Sequence, residues 1–456
     1  MVNAPRPLSA AQRALWTAYR MAPAGHAYTM LLSLRIRGRL DTEALASALD
    51  LVCRRHEVLR SCFDEVAGEP VRLPRQDPPA GLEIVDVPVA SDGSLLDLLS
   101  KAARLPFFLE RTGPLRALLY RHGDDDFALS LAVHHIAGDF SSYSLLLHEL
   151  FAVYRSMVAG EEPDLPELTR GYDEYVAEEA AHPGTPAGRR DHDYWTGLLA
   201  GAVTTELPTD RPRPPLPSHT GGTVHLDLAA LSDDLQQAAK SVGARPFPLL
   251  LAAYQALLAR WTGEQDIMVG TPASTRARPD RTVFGCYLNS MPVRIRVGAD
   301  ATFASLAAES GRQLLQGMRH VRLAATTVVT GRRGPLVRLG ALLLQMSALD
   351  AEFPPPAPGE PEGAPAEFAG LRVSRIDEPS QEGQLDLMLT LHQGVHGLVG
   401  VLTYDSDLFD HESVEHFARC YERFLRAAAD DPGRRVGEVP LTDEDDLAAL
   451  LALGGA

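Results

Sequence analysis

The spacing of apolar and polar residues predicts alternating strands and helices in the first half of the chain. Leu45 and Val52 lie on one helical face after Asp41, a residue type that commonly caps the start of a helix. Residues 127–134 are almost all apolar, which is typical of a strand buried on both faces. A helix is predicted directly after this strand, because apolar side chains over residues 143–154 repeat on one face.

The second half of the chain repeats this alternation. Residues 246–263 are apolar on nearly every side and predict a buried helix, whereas residues 267–269 and 286–297 predict strands. Residues 385–391 and 398–404 predict two more strands joined as a hairpin with a longer loop. Because strands and helices alternate in both halves, the sequence predicts an α/β fold with layers of strands and helices in each half.

Two segments rich in proline and glycine interrupt the pattern. Residues 203–222 contain five prolines and predict a connector, because proline cannot feed a sheet ladder. We therefore predict a first lobe at residues 1–180, a connector at 181–222 and a second lobe at 223–456, with a crevice between the lobes. The second segment, residues 353–365, predicts a mobile loop.

Composition and charge exclude several classes of protein. The chain has 456 residues, of which 45% are hydrophobic and 23% charged, as in an ordinary globular protein. Its net charge of −17 argues against a nucleic-acid partner. The four cysteines are scattered, which favours reduced thiols and predicts neither disulfides nor a metal site. No apolar run is long enough to cross a membrane, so we expect a cytoplasmic protein.

The segment that follows residues 127–133 carries the candidate chemistry. Side chains alternate faces along a strand, so His134 and His135 should point in opposite directions and only one imidazole can face a given crevice. An imidazole with a pKa near 6.5 is suited to accept a proton at neutral pH. A histidine at a strand end is, however, more often a satisfied core residue than a catalyst.

The next residues predict a turn and a helix start. Gly138 permits a sharp turn, and either Ser141 or Ser142 could cap the following helix, which would leave backbone N–H groups free to bind an oxyanion. Asp139 has two possible roles, since its carboxylate could orient the imidazole or could pair with an arginine.

Residues 134–140 resemble the H-H-x-x-x-D-G signature of the condensation domains of nonribosomal peptide synthetases. Other blocks of the sequence resemble the motifs of this family in the same order along nearly the whole chain. They are residues 8–16, 55–63, 105–116, 246–267, 270–272, 284–294, 385–387 and 404–410. Several ordered blocks are far more specific than one short motif, so the chain is identified as a member of this family.

The resemblance implies a fold and a reaction. The fold would be two chloramphenicol-acetyltransferase-like lobes arranged in a V, with an active-site tunnel between them. A donor acyl or aminoacyl group would arrive as a thioester on the phosphopantetheine arm of an acyl or peptidyl carrier protein. An amine or hydroxyl acceptor, either a small molecule or carrier-bound, would attack it to give an amide or ester. The family implies no metal and no tightly bound cofactor.

The resemblance also assigns roles to residues. His135 would be the catalytic histidine, as a base or as a positioner of the nucleophile, and Asp139 would pair with Arg60 to hold the turn, a structural role. His134 supports the motif. The remaining candidate positions are Gly138, Phe140 and Ser141 at the oxyanion and acceptor pocket, and Asn289 and Ser290 on the tunnel floor near residues 284–294.

The sequence departs from the family pattern at two places. Phe140 replaces the final glycine of the signature, which predicts a reshaped acceptor pocket, since a residue other than glycine adopts positive φ at a cost. Residues 318–323 stand where the family has an H-Q-x-x-P-F-E block, and they match it poorly. No carrier or adenylation segment follows the last block, so we expect a freestanding enzyme with its carrier supplied in trans, although an excised piece of a larger synthetase also fits.

Three alternatives remain open at this stage. An epimerisation domain carries the same histidine signature, and distant relatives use coenzyme A thioesters without a carrier. A non-catalytic carrier-recruitment domain is the third alternative. Arg276, Arg278 and Arg281 form a basic cluster that could contact an acidic carrier or could lie on a solvated loop.

Overall fold

The structure is a computed structural model of the chain. It describes residues 4–442 except 24, 79–80, 88–91, 216–217, 330–334, 346–347, 358–359, 377–382 and 396. The strands are β1 (Arg6–Pro7), β2 (Thr29–Arg37), β3 (Ser61–Val66), β4 (Glu69–Pro74), β5 (Leu82–Asp86), β6 (Leu115–Arg121), β7 (Asp126–His134), β8 (Gly221–Asp227), β9 (Asp266–Ser274), β10 (Leu288–Arg296), β11 (Leu339–Gln345), β12 (Ala366–Phe368), β13 (Leu371–Arg375), β14 (Leu387–Gly394) and β15 (Gly397–Asp405). The helices are α1 (Ala10–Met21), α2 (Thr42–Arg55), α3 (Asp92–Ala103), α4 (Phe140–Ala159), α5 (Tyr172–Ala181), α6 (Pro186–Leu199), α7 (Ser232–Ser241), α8 (Pro246–Thr262), α9 (Phe303–His320), α10 (Ala348–Glu352) and α11 (His411–Asp430).

Two sheets, each with its own hydrophobic core, organise the molecule. The first has the strand order β12-β13-β2-β7-β6-β5, and the second has the order β10-β9-β11-β14-β15-β8. Helices α2 and α4 pack beside the first sheet, whereas α8, α9 and α11 supply much of the second core. The predicted α/β fold class is therefore confirmed. The predicted strands and helices in both halves are also present, with ends that differ by a few residues.

The two halves of the chain exchange segments. Strands β12 and β13 lie within the predicted second lobe, yet β13 pairs antiparallel with β2 of the first sheet. Residues 276–287, between β9 and β10, also leave the second sheet, because Phe284 and Tyr287 are buried in the first core. The lobes are thus held together by chain that crosses from the second to the first.

The proline-rich segment 353–365 is anchored where the structure describes it, in contrast to the predicted mobile loop. Phe353 is buried in the first core and its ring lies 5.3 Å from that of Phe151. Glu362 forms ion pairs with Arg35 and Arg37 on β2. Residues 358 and 359 of this segment are outside the described residues.

The predicted connector contains ordered structure. Helix α6 lies within residues 181–222, and its Trp195 is buried in the second core, where the indole N–H donates to the carbonyl of Leu323 at 3.0 Å. Among the described residues, no single helix is long and apolar enough to cross a membrane. One bent pair, residues 229–241 and 246–262, passes that test by length and composition alone.

Candidate active site

The two signature histidines lie where β7 ends. His134 is the last residue of the strand, and His135 is the first residue of the following turn. The backbone N–H of His135 donates to the carbonyl of Tyr28 at 2.8 Å. The N–H of Ala137 closes the turn on the carbonyl of His134 at 2.9 Å. Because the strand ends between the two histidines, the chain departs at this point from the strand geometry that the sequence predicted.

His134 is a core residue. Its ring is buried and meets the rings of Tyr19 and Phe107 edge-on, at centroid distances of 6.0 and 5.6 Å. Its Nδ1 accepts the N–H of Ile136 at 3.1 Å, so the neutral ring carries its proton on Nε2. Burial lowers the pKa of His134 to about 3, because the core disfavours the charged form. This histidine supports the turn and stays neutral.

His135 differs from its neighbour because it is partly exposed. Its Nδ1 is buried and makes no hydrogen bond of ordinary geometry within the described residues. Burial lowers the pKa of His135, although the negative charge of Asp139 and the backbone of Gly138 act in the opposite direction. An imidazole with a lowered pKa is neutral at pH 7, and a neutral imidazole can accept a proton.

Asp139 holds the turn through three contacts. Its carboxylate caps α4 by accepting the N–H of Ser142 at 2.7 Å, and it also accepts the N–H of Tyr287 at 3.2 Å. The third partner is Arg276, whose guanidinium donates to the same carboxylate at 2.9 Å. Both side chains of this ion pair are less than a tenth exposed, so the pair is buried between the lobes.

The predicted pairing of Asp139 with Arg60 is wrong. Arg60 donates to the carbonyl of Arg75 and lies 3.6 Å from Glu57 in the same turn of chain. The guanidinium of Arg60 therefore contacts residues close to it in the same lobe. The partner of Asp139 is Arg276, which belongs to the second lobe. The structural role that was predicted for the carboxylate is retained with a different arginine.

The three arginines of the predicted basic cluster differ in their exposure to solvent. Arg276 turns inward, where its guanidinium lies 4.1 Å from the ring centre of Tyr287 and donates to the hydroxyl of Ser142 at 2.5 Å. Arg278 and Arg281 are exposed, as expected of a solvated loop. The sequence did not distinguish Arg276 from the other two arginines, since the predicted strand stopped at residue 269.

Gly138 is required by close packing. A Cβ atom at this position would lie 2.8 Å from the ring of Phe284, too close for two carbon atoms. The serine that follows the turn fixes the same region, because the hydroxyl of Ser142 donates to the carbonyl of Gly285 at 2.6 Å. Segment 276–287 therefore presses directly against the signature turn. The cap of α4 is Asp139, whereas the sequence predicted Ser141 or Ser142 in this role.

Phe140 is the first residue of α4 and its side chain is 39% exposed. Since it is helical, the position does not require positive φ, and the strain predicted for this replacement of glycine does not arise. The exposed Ser141 follows it. The first N–H groups of a helix have no partner within it, and the cap uses that of Ser142. The N–H groups of Phe140 and Ser141 have no hydrogen-bond acceptor among the described residues.

The two predicted floor residues lie on β10. Asn289 is buried and its amide donates to the carbonyl of Val321 at 2.6 Å, so it ties β10 to the chain after α9. Ser290 pairs with Pro272 of β9, and its side chain is exposed. The structure thus gives Asn289 a supporting contact, and a direct role of either residue in a tunnel stays a prediction.

Sequence reasoning missed a buried pair that stiffens this region. His56 Nε2 lies 2.7 Å from the carboxylate of Glu149 on α4, and Arg55 lies 3.2 Å from the same carboxylate. The His56 ring also lies 5.9 Å from that of Phe284. Arg55 and His56 therefore link the end of α2 to α4, the helix that begins at the signature turn.

Comparison with known proteins identifies the family. The family model for the condensation domain matches residues 3–451, which is nearly the whole chain. The chain belongs to the condensation-domain family, as the sequence motifs predicted. This assignment covers the signature turn, the crossing segment and both sheets.

The curated relatives are large synthetases of which this chain matches a small part. A probable non-canonical nonribosomal peptide synthetase, CymA of Salinispora arenicola, is 32% identical over 98% of this chain and 6% of its own length. The phosphinothricin tripeptide synthetase PhsC of Streptomyces viridochromogenes is 29% identical over 98% of the chain and 41% of its own length. The chain spans 6% to 9% of the length of the first relatives it matches, which include subunits C and D of the linear gramicidin synthase of Brevibacillus parabrevis.

Solved structures show the same fold. The X-domain in its complex with OxyB from teicoplanin biosynthesis superposes with a TM-score of 0.84 at 28% identity, over 97% of each chain. The first condensation domain of the calcium-dependent antibiotic synthetase, in complex with a substrate analogue, has a TM-score of 0.76 at 25% identity, over 97% of this chain and 100% of its own.

Proposed function

We propose that the protein is a condensation enzyme that joins a carrier-tethered acyl or aminoacyl donor to an amine or hydroxyl acceptor. Membership in the condensation-domain family supports acyl transfer as the class of reaction. The observation that carries the proposal is His135, a partly exposed imidazole with a lowered pKa beside the start of α4. The other signature residues, His134 and Asp139, are occupied in holding the turn.

The proposed chemistry uses a neutral imidazole and a helix start. His135 accepts or positions the proton of the attacking amine or hydroxyl while the nucleophile adds to the thioester carbon. In this proposal, the N–H groups of Phe140 and Ser141 at the start of α4 stabilise negative charge on the thioester oxygen. The C–S bond then breaks, a C–N or C–O bond has formed, and the proton leaves with the thiolate as a free thiol.

The partners of this reaction belong to the same proposal. The donor arrives on the phosphopantetheine arm of an acyl or peptidyl carrier protein supplied by another chain, and no metal or bound cofactor takes part. The acceptor is a small molecule or a second carrier-bound group, which enters the tunnel from the opposite side. Exposed Phe140 lies beside the catalytic turn and restricts the size of the acceptor. The reaction takes place in the cytoplasm.

The test is a reconstituted reaction with the whole chain. Acyl and aminoacyl carrier proteins are offered with panels of amines and alcohols, and the products are identified by mass spectrometry. Formation of an amide or ester that requires both the carrier and the chain supports the proposal. The same product from acyl-CoA without a carrier would indicate a coenzyme A-dependent acyltransferase instead. Deuterium wash-in at the α-carbon of an aminoacyl carrier, without condensation, would indicate an epimerisation domain.

A second candidate function is the recruitment of another protein without chemistry. The observation that favours it is the similarity to an X-domain that was solved in complex with OxyB, with a TM-score of 0.84. Retention of His135 argues for catalysis, because recruitment domains of this superfamily tend to lose the second histidine. The absence of any product with all carrier and acceptor combinations, together with stable binding of a carrier protein, would favour recruitment.

A further inference from the structure

A cavity lined mostly by polar residues lies away from the signature turn, where the connector meets the second lobe. It has a volume of about 690 Å³ and opens between the start of α6 and the end of α9. None of its lining residues belongs to the signature turn or to segment 276–287. The lining residues are His182, Thr185, Ala187, Arg190, Asp191, Gln316, Arg319, His320 and Arg322.

The floor of this cavity is a buried aspartate held between two imidazoles. His182 Nε2 lies 2.6 Å from one oxygen of Asp191, and His320 Nδ1 lies 2.8 Å from the other. The His320 ring also stacks on Tyr194 with the ring centres 4.2 Å apart. Both carboxylate oxygens already have partners, so the aspartate fixes the cavity wall and joins α6 to α9.

The rim of the cavity carries an excess of positive charge. Three arginines line it against the single carboxylate of Asp191, although the whole chain has a net charge of −17. Arg322 lies 3.5 Å from Glu178 and is partly neutralised. Arg190 and Arg319 are exposed and have no hydrogen bond or ion pair within the described part of the chain. Two guanidinium groups from different helices are thus available to a ligand.

The start of α6 adds to this positive potential. Thr185 caps the helix by accepting the N–H of Gly188 at 2.9 Å, and both Thr185 and Ala187 line the cavity. The aligned peptide dipoles of a helix place partial positive charge at its N-terminus, which favours an anion there. The helix and the arginines therefore favour the same kind of ligand.

We propose that this cavity binds a small phosphorylated molecule through its phosphate groups. Planar guanidinium groups match phosphate oxygens in pairs of parallel hydrogen bonds, and two arginines on separate helices can hold neighbouring phosphates. A cavity of about 690 Å³ is larger than a bare ion requires and falls in the range of small-molecule sites. The site is independent of His135 and of the proposed condensation reaction.

Inorganic pyrophosphate is the probe, titrated calorimetrically into the whole chain at low ionic strength. The double variant Arg190→Gln/Arg319→Gln is expected to bind at least about tenfold more weakly, because two charge-assisted contacts are lost. Both side chains are exposed and contact no partner in the part of the chain that the structure describes, so the fold should be unaffected.

The matched control is Arg39→Gln/Arg296→Gln, which removes the same charge from exposed positions outside the cavity. This variant is expected to bind pyrophosphate as the wild type does. The proposal is overturned if the wild type shows no binding at millimolar probe. It is also overturned if the cavity variant binds as well as the wild type, or if the control variant loses binding equally.

Discussion

Two sets of histidine and carboxylate residues in the first lobe have opposite arrangements. In the signature turn, His135 and Asp139 are four residues apart, but Asp139 caps α4 and pairs with Arg276. Nδ1 of His135 makes no ordinary hydrogen bond with any residue that the structure describes. In the other set, His56 and Glu149 are distant in sequence and lie 2.7 Å apart in the core. In the first set, two residues that are close in sequence have different partners. In the second set, the fold brings together two residues that are 93 positions apart.

The difference shows which imidazole is available for chemistry. A histidine bonded to a buried carboxylate is held in one tautomer and orientation, and both its side chain and that of Glu149 are only 2% exposed. His135 is partly exposed and is not engaged in this way. The predictions below test this comparison, beginning with the largest expected effect.

The first prediction concerns the two histidines directly. His135→Ala should lower product formation about 10²- to 10⁴-fold, as expected for the loss of a general base, with little change in melting temperature. His56→Ala should do the reverse, because it removes the hydrogen bond between His56 and the buried carboxylate of Glu149, at a cost of about 1–3 kcal/mol in unfolding free energy. Mass spectrometry of the product and thermal unfolding measure the two effects. Wild-type turnover by His135→Ala would contradict the view that His135 is available for chemistry and His56 is structural.

The second prediction concerns the carboxylate of the signature. Asp139→Ala should lower the unfolding free energy by about 3–5 kcal/mol, because it leaves buried Arg276 without its partner. Arg60→Ala should cost about 1 kcal/mol, since it removes a local ion pair and one hydrogen bond. Denaturant titration compares the two variants. Equal losses would restore the Asp139–Arg60 pairing that the sequence predicted.

This wrong pairing shows where sequence reasoning ended. Strand β7, the turn and helix α4 were predictable, because the spacing of apolar residues that indicates them lies within each segment itself. Arg276 was not assigned to Asp139, since the two are 137 residues apart and meet only where the lobes dock. Strands β12 and β13 were missed for a related reason, since they have three and five residues and their pairing with β2 depends on chain crossing between lobes.

The third prediction concerns the space beside His135. Gly138→Ala should cost about 1–3 kcal/mol of unfolding free energy, because the new Cβ would lie 2.8 Å from the ring of Phe284. Gly298→Ala meets no atom within 4 Å and is the control. Adding Phe284→Leu to Gly138→Ala should recover part of the loss if the clash is its cause. If Gly138→Ala costs as much in the Phe284→Leu background as in the wild type, the ring of Phe284 is not what limits the turn.

The smallest effect is a dependence of stability on pH that arises from His134. Burial lowers its pKa in the folded chain to about 3, whereas an unfolded histidine has a pKa of about 6.5. Below pH 6.5 the unfolded chain therefore binds a proton that the folded chain does not, and the unfolding free energy falls as the pH falls.

Each buried histidine of this kind contributes up to about 1.4 kcal/mol per pH unit. The variant His134→Asn keeps an acceptor at the position of Nδ1 for the N–H of Ile136 but does not titrate between pH 6.5 and 5. Its unfolding free energy, measured by denaturant titration, should depend less steeply on pH in that window than that of the wild type, and the two slopes should agree above pH 7.5. Identical slopes below pH 6.5 would mean that the core does not hold His134 neutral. His134 would then no longer be an example of a buried structural imidazole to compare with His135.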